Sequence, residues 1–353
     1  MYGGRSLRSR AGCFFSRGGK SSNTGTKRPY LQSSPFENTS ESDLPRRKIW
    51  RSNFTDVNKT NHIIIRGCAS LEGSLSKSAE FELEPGVEFP LFPTSEVPIL
   101  QVEGSSLRGA TGLVCKAKLM NPDISRGTES KYFAVKLVDS ASRSTVEYRN
   151  FVMDVYNEYV NYCIFELGKQ FPAVRGVIER CTATCFGLYR LGDYGPNSLP
   201  KFALITEHVG EEIEESWEEL GDSTKRAVLN NLICLHALGF CHNDADERNV
   251  VYDSRSDTYK FIDLCTGGWH EFLRSGDVEN CRGIRKCSEL KIMWHTFNPS
   301  DKDASQDFEE EVLCEHNLRF RNLRKRLERE GILDMHKLAP DVKKLADRIE
   351  SDC

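Results

Sequence analysis

The apolar positions of the chain change their period several times, and each change marks an element. His62 to Arg66, Ala79 to Leu83 and Val97 to Val102 are short β-prone runs punctuated by Pro85-Gly86, Pro90 and Pro93, which predicts strands leading into a small sheet. Leu107 to Ala117 carries Gly109 and Gly112 in a strand-like stretch, the pattern of a hairpin, and Tyr132 to Val138 is a further apolar strand after the polar insertion Met120 to Ser130. The period then lengthens. Val155, Tyr159 or Val160, Cys163 and Leu167 recur at helical spacing and predict a helix from about Val152 to Lys169. Strand patterns return at Gly176 to Leu191 and at Phe202 to Val209. The acidic stretch 211–222 reads as the solvated start of a second helix, with Val228, Leu232, Leu235 and Leu238 as its stripe, Asp222 or Ser223 as its cap and Gly239 as its stop. Two apolar runs, Asn249 to Tyr252 and Tyr259 to Ile262, flank the polar turn Asp253 to Asp257, so that helix is followed by a loop and a hairpin. Leu318, Leu323 and Leu327 among the basic residues Arg319 to Arg329 predict charged helices near the end.

Composition narrows the class. The 353 residues are ample for one buried core, and a formal net charge of -4 gives no reason to expect a nucleic-acid partner or a membrane surface. No apolar run is long enough to span a bilayer. The 13 cysteines are odd in number and scattered, which favours a reducing, intracellular compartment, cytoplasmic or nuclear. Cys181 with Cys185, and Cys281 with Cys287, lack the tight spacing of a zinc motif, so no zinc site is expected from them. Residues 1–55 are rich in Gly, Ser and Arg and carry no acid before Glu37, a composition that predicts a disordered basic tail. A mitochondrial leader is the alternative, against which Gly3-Gly4, Gly18-Gly19 and Pro29 break any amphipathic helix.

Candidate chemistry centres on Cys241 to Val251 and Lys260 to Cys265. The hairpin puts Asp244 before it, Asp263 after it and the amide of Asn249 between them, at one end of a rigid unit. Two acids and an amide suit a magnesium nucleotide, because Mg²⁺ takes oxygen ligands while a separate carboxylate can accept a proton from an attacking hydroxyl. Lys136 adds a second signal, since a lysine inside an apolar strand is costly unless its ammonium finds an anion.

The spacing His242-x-Asp244-x-x-x-x-Asn249, then Asp263, resembles the catalytic loop and metal-binding Asp of the protein kinase-like superfamily, and the other parts occur upstream in order. Gly109, Gly112 and Val114 match the end of a glycine-rich hairpin, with Leu107 in place of its first glycine, and Ala134-Val135-Lys136 matches the strand lysine. Glu158, four residues before Tyr162, is similar to the helix glutamate of small atypical, fungal-type members, with Glu166 as the alternative. The resemblance covers roughly residues 100–295. It implies an α+β, two-lobed fold: a β-rich extension (56–99), a small β-rich N-lobe (100–210), a reduced helical C-lobe (211–300) and charged C-terminal helices (301–353).

By that resemblance the cofactors are ATP and Mg²⁺. Gly109, Gly112 and Val114 cover the nucleotide, Lys136 and Glu158 position its phosphates, Thr206 lines the back of the pocket, and the backbone of Glu207 and His208 bonds the adenine edge. Asp244 is the catalytic base, His242 stiffens the loop, and Asn249 and Asp263 hold the metal. The reaction implied is γ-phosphoryl transfer to a hydroxyl on a protein or a small molecule, the latter as in aminoglycoside or choline kinases. Three departures stand out: Leu264-Cys265 replaces Phe-Gly, Asn243 replaces the Arg that reads a phosphorylated activation loop, and Asp246 replaces the loop lysine. An anion at Asp246 would oppose charge developing on the phosphoryl group, so a pseudokinase that binds without catalysis is the competing class.

Overall fold

The computed structural model describes residues 62–67, 78–83, 92–108, 112–123, 131–138, 145–191, 201–269, 287–297, 318, 321–329 and 335. The expected tail (1–55) and Gly109 lie outside them. The chain divides into units 1–55 and 56–353, and every described residue belongs to the second. The fold is mixed α and β.

Alternation builds the β part. β1 (His62–Arg66), β2 (Ser78–Leu83), β3 (Ile99–Arg108), β4 (Leu113–Leu119), β5 (Tyr132–Val138), β6 (Cys185–Leu191) and β7 (Phe202–Glu207) form a closed barrel in the order β1-β2-β6-β7-β5-β4-β3. Its closing seam is the parallel pairing of β1 with β3, Ile64 opposite Ile99. Thus β1 and β2, from the segment set apart above as an extension, belong to the same barrel as the strands that follow. Every second residue points inward: Ile63 and Ile65, Cys115 and Ala117, Phe133 and Val135, Ala203 and Ile205 make one buried cluster. Phe92, Phe133 and Phe186 stack within it at centroid separations of 5.2, 4.9 and 5.0 Å. The intervening residues Val114, Lys116, Ala134 and Thr206 are only half-buried and share the outer face of β4, β5 and β7 with Lys136.

Between β5 and β6 come two helices. α1 (Thr145–Gly168) starts seven residues before the expected Val152. α2 (Pro172–Cys181) occupies ground where a strand was expected from Gly176. Pro172 sits in its first turn, where a missing N–H costs nothing, and Val174, Ile178 and Cys181 form a buried helical stripe, so period 3.6 prevails until β6 begins at Cys185.

After the barrel, residues 211–212 are not the start of a helix. They form the short strand β8 (Glu211–Glu212), paired with a later hairpin strand through Glu212 and Val251. α3 (Asp222–Leu238) has Gly221 at its N-cap, with Asp222 already helical, and ends on Gly239 in the left-handed region at φ 99°. β9 (Phe240–Cys241), β10 (Val250–Asp253), β11 (Thr258–Phe261), β12 (Gly268–Trp269) and α4 (Ser288–Phe297) complete the named elements. Segment 321–329 is helical and buries Leu323 and Leu327 in the second core, which gathers Tyr159, Phe165, Leu232, Leu235, Phe240 and Phe261. No helix among the described residues is long and apolar enough to cross a membrane.

Candidate functional site

Lys136 lies in β5, opposite Val114 of β4 and Leu204 of β7, on the outer face of the barrel. Its ammonium is buried against α1 and the segment after β11: Nζ is 2.7 Å from Glu158 Oε2 and 2.7 Å from Asp263 Oδ1. Burial alone would pull this ammonium down, but Glu158 and Asp263 outweigh it and hold the pKa above the usual lysine value. Burial pushes the Glu158 carboxyl up to about 7 against the pull of Lys136. At Asp263 the order reverses, because the lysine overcomes burial and keeps the carboxyl below its usual range. The alternative partner, Glu166, is engaged elsewhere, accepting from Lys169 Nζ at 2.7 Å and from the Cys185 N–H at 2.9 Å.

The loop between β9 and β10 is held from several sides. His242 is fully buried, with Nε2 2.9 Å from the carbonyl of Ile262, the residue before Asp263. Burial lowers its pKa, so the ring is neutral and acts as a pin joining the loop to the hairpin's far strand. Asn243 at φ 63° and Asp263 at φ 56° both adopt left-handed backbone, a conformation their short polar side chains tolerate. The register Val250 opposite Phe261 continues into an Ile262 N–H to Asn249 carbonyl bond of 3.0 Å, which brings Asn249 to the strand end next to Asp263. Asn249 Nδ2 donates to Asp244 Oδ2 at 2.9 Å and to the Asp244 carbonyl at 2.8 Å, leaving Oδ1 as the atom of that amide suited to a cation. Asp246 caps a single 3-10 turn, accepting from the Glu247 N–H at 2.8 Å, and pairs with Arg248 at 3.9 Å. The anion feared from the sequence is therefore part of a cap. Arg248, two residues beyond the cap Asp246, also reaches Asp244 Oδ2 at 3.4 Å, so an exposed cation lies on the candidate base.

Two residues that sequence reasoning passed over fix this arrangement. Asn161, three residues after Glu158 on α1, donates to the Leu264 carbonyl at 2.8 Å and accepts from Trp269 Nε1 at 2.8 Å, tying the helix to the segment that carries Asp263. Glu289 of α4 accepts from the N–H groups of His242 at 3.0 Å and Asn243 at 2.6 Å and sits 2.6 Å from His236 Nε2. The only local sign of Asn161 is an amide within an otherwise apolar stripe; Glu289 gives none.

The covering hairpin is described from Gly112 onward on its return strand. A Cβ on Gly112 would stand 2.5 Å from the Leu137 carbonyl oxygen, so close strand approach accounts for this glycine without any ligand. Gly112→Ala is accordingly expected to destabilise the chain by about 1–3 kcal/mol in denaturant melts, the usual cost of overpacking; an unchanged midpoint would contradict that contact. Val114 and Thr206 share the face of Lys136, Thr206 opposite Ala134. The N–H of Glu207 bonds the Thr184 carbonyl at 2.8 Å and that of His208 the Tyr132 carbonyl at 3.1 Å. Neither N–H is available to a ligand, and any readout of a base edge by these two residues would rest on their carbonyl oxygens.

The chain matches no protein-family model and no curated protein. Among solved structures it is similar to a kinase, PK-1, of the Cydia pomonella granulovirus, at 13% identity and a TM-score of 0.30, over 61% of this chain and 74% of that one.

Proposed function

We propose that the chain is an ATP-dependent phosphotransferase with a two-lobed kinase-like arrangement, moving the γ-phosphoryl group to a hydroxyl acceptor on a protein. The observation that carries this reading is Lys136 bridging Glu158 and Asp263 at 2.7 Å each, at the same end of the hairpin where Asp244 is held against Asn249. A structural ion pair needs one carboxylate; a lysine drawn between two, one of them on a left-handed turn, is poised to exchange a partner for phosphate oxygens. The donor set fits a hard cation, since Asp263 and Asn249 Oδ1 offer oxygen and no sulfur or imidazole. When bound, Mg²⁺ would neutralise charge on the transferring phosphates. Lys136 would orient the phosphates, Glu158 hold that ammonium in place, and Asp244 accept the acceptor's proton at Oδ1 or Oδ2 while Asn249 fixes its rotamer. His242 stays neutral and keeps the loop on the hairpin.

Calorimetric titration of the full chain with ATP, with and without Mg²⁺, tests the reading. The expected result is binding that Mg²⁺ strengthens, and an Asp263→Asn variant in which the Mg²⁺ increment is lost while any metal-free binding persists. An identical Mg²⁺ response in Asp263→Asn would remove the metal assignment. Tight binding with no phosphotransfer or ATPase activity would replace the enzyme with a nucleotide-binding pseudokinase.

A further inference from the structure

A separate set of ligand-type side chains lies beneath the loop and owes nothing to the phosphotransfer reading. His236 in the last turn of α3, Cys241 in β9 and Cys287 just before α4 bring one imidazole nitrogen and two sulfurs within 4.8 Å of one another. His236 Nδ1 is 3.4 Å from Cys287 Sγ and 3.8 Å from Cys241 Sγ. A tetrahedral zinc ion with Zn–S of about 2.3 Å and Zn–N of about 2.0 Å sets its ligand atoms roughly 3.5–3.8 Å apart. The two nitrogen–sulfur separations already match that spacing, and the two sulfurs, within 4.8 Å of one another, need only close onto the common centre. The far nitrogen of the same ring, Nε2, is 2.6 Å from Glu289 Oε2, the carboxylate partner that fixes a metal-ligating histidine's tautomer and turns its other nitrogen toward the ion. His236 and Cys287 are buried and Cys241 is half-buried, so among the described ligands Cys241 is the one that meets solvent.

We propose that His236, Cys241 and Cys287 form a site for a zinc-class divalent ion, with water as the fourth ligand and Glu289 as the carboxylate behind the imidazole. On binding, the two thiols release their protons to solvent and coordinate as thiolates, and the imidazole, whose pKa burial lowers but Cys287 and Glu289 raise to about 9, also gives up its Nδ1 proton so that it binds neutral. The short-motif rule misses such a site because its ligands come from three elements, with Cys287 far along the chain from the other two. Glu289 also accepts from the N–H groups of His242 and Asn243, so the ion would clamp α3, β9 and α4 together under the loop that carries Asp244.

The test uses the full chain, reduced and stripped with a chelator, with cobalt(II) as the probe and no nucleotide present, so that its outcome is independent of the phosphotransfer reading. A single equivalent of cobalt should give thiolate-to-metal absorption in the near ultraviolet and the intense visible bands of four-coordination. Zinc should bleach both and raise the melting temperature with the same stoichiometry. Cys241→Ser and Cys287→Ser should each lose charge-transfer intensity, and Glu289→Gln should weaken binding by about 10–100-fold with the spectrum retained. Cys115→Ala, in β4 and in the barrel's own core cluster, serves as the control that leaves the spectrum intact. Cobalt that gives no near-ultraviolet band with a normally melting wild-type chain overturns the proposal, as does a band that survives Cys287→Ser. A Cys241–Cys287 linked peptide in non-reducing mass spectrometry, with no metal bound by the reduced chain, would make the two thiols a redox pair instead.

Discussion

Asp244→Asn is expected to slow phosphotransfer by about 10²–10⁴-fold, the range a positioned general base contributes, while nucleotide affinity stays at the parent level. The substitution keeps shape and size, and Asn249 Nδ2, 2.9 Å from Oδ2, can still meet an amide oxygen at that place. What is lost is the capacity to take a proton. Steady-state turnover together with calorimetric ATP binding separates the two: equal losses in both would mean that Asp244 holds the nucleotide, and unchanged turnover would exclude it as the base. Asp246→Lys makes a poor companion because Asp246 caps the 3-10 turn that leads to Asn249. Losing such a cap costs about 0.5–2 kcal/mol, so that variant would report on the turn as well as on charge.

The second large effect concerns stability as much as binding. Lys136→Met is expected to abolish ATP binding and also to destabilise the chain by about 3–5 kcal/mol near neutral pH, because it strands buried carboxylates without their cation. An ammonium shared between Glu158 and Asp263 makes the structural cost unavoidable. The pH dependence follows from Glu158, whose carboxyl burial pushes up to about 7 even with the lysine present. Without the lysine it rises further. A carboxyl raised above its unfolded value binds its proton more tightly in the folded state, so the variant loses stability as pH rises from the unfolded pKa through the folded one. Urea melts at about pH 5 and about pH 8 should therefore show the larger deficit at the higher pH, and adding Glu158→Gln should recover part of it. A deficit equal at both values would show that Glu158 does not titrate in that window.

What could be read in the sequence was mostly local. The strand around Lys136, the helix stop at Gly239 and the hairpin bearing Asn249 and Asp263 are written in residues within a few positions of one another, where period and turn chemistry decide the backbone. α2 departs from the strand expected from Gly176 because Val177 and Ile178 are β-branched residues that sit equally well in a strand pattern, and only the common burial of Val174, Ile178 and Cys181 selects the helix. Asn161 and Glu289 were invisible for a different reason. Asn161 bonds a carbonyl 103 residues further along the chain, and Glu289 reaches back 47 residues to the His242 N–H, distances over which no spacing rule operates. The preference for Glu158 over Glu166 was legible in its place four residues before Tyr162, while the reason, that only Glu158 reaches the lysine and Glu166 holds Lys169, belongs to the tertiary structure.

The closure of the barrel through β1 and β2 has a practical consequence. A shortened chain beginning at residue 100, the start that the catalytic motifs alone would suggest, would strip β1 from β3 and β2 from β6. Two strands would then present unpaired backbone donors and acceptors to solvent, flanking an interior that includes Phe133 and Phe186. Such open edges recruit strands from other molecules. The first two strands thus seal the two edges onto which a neighbouring copy could otherwise add.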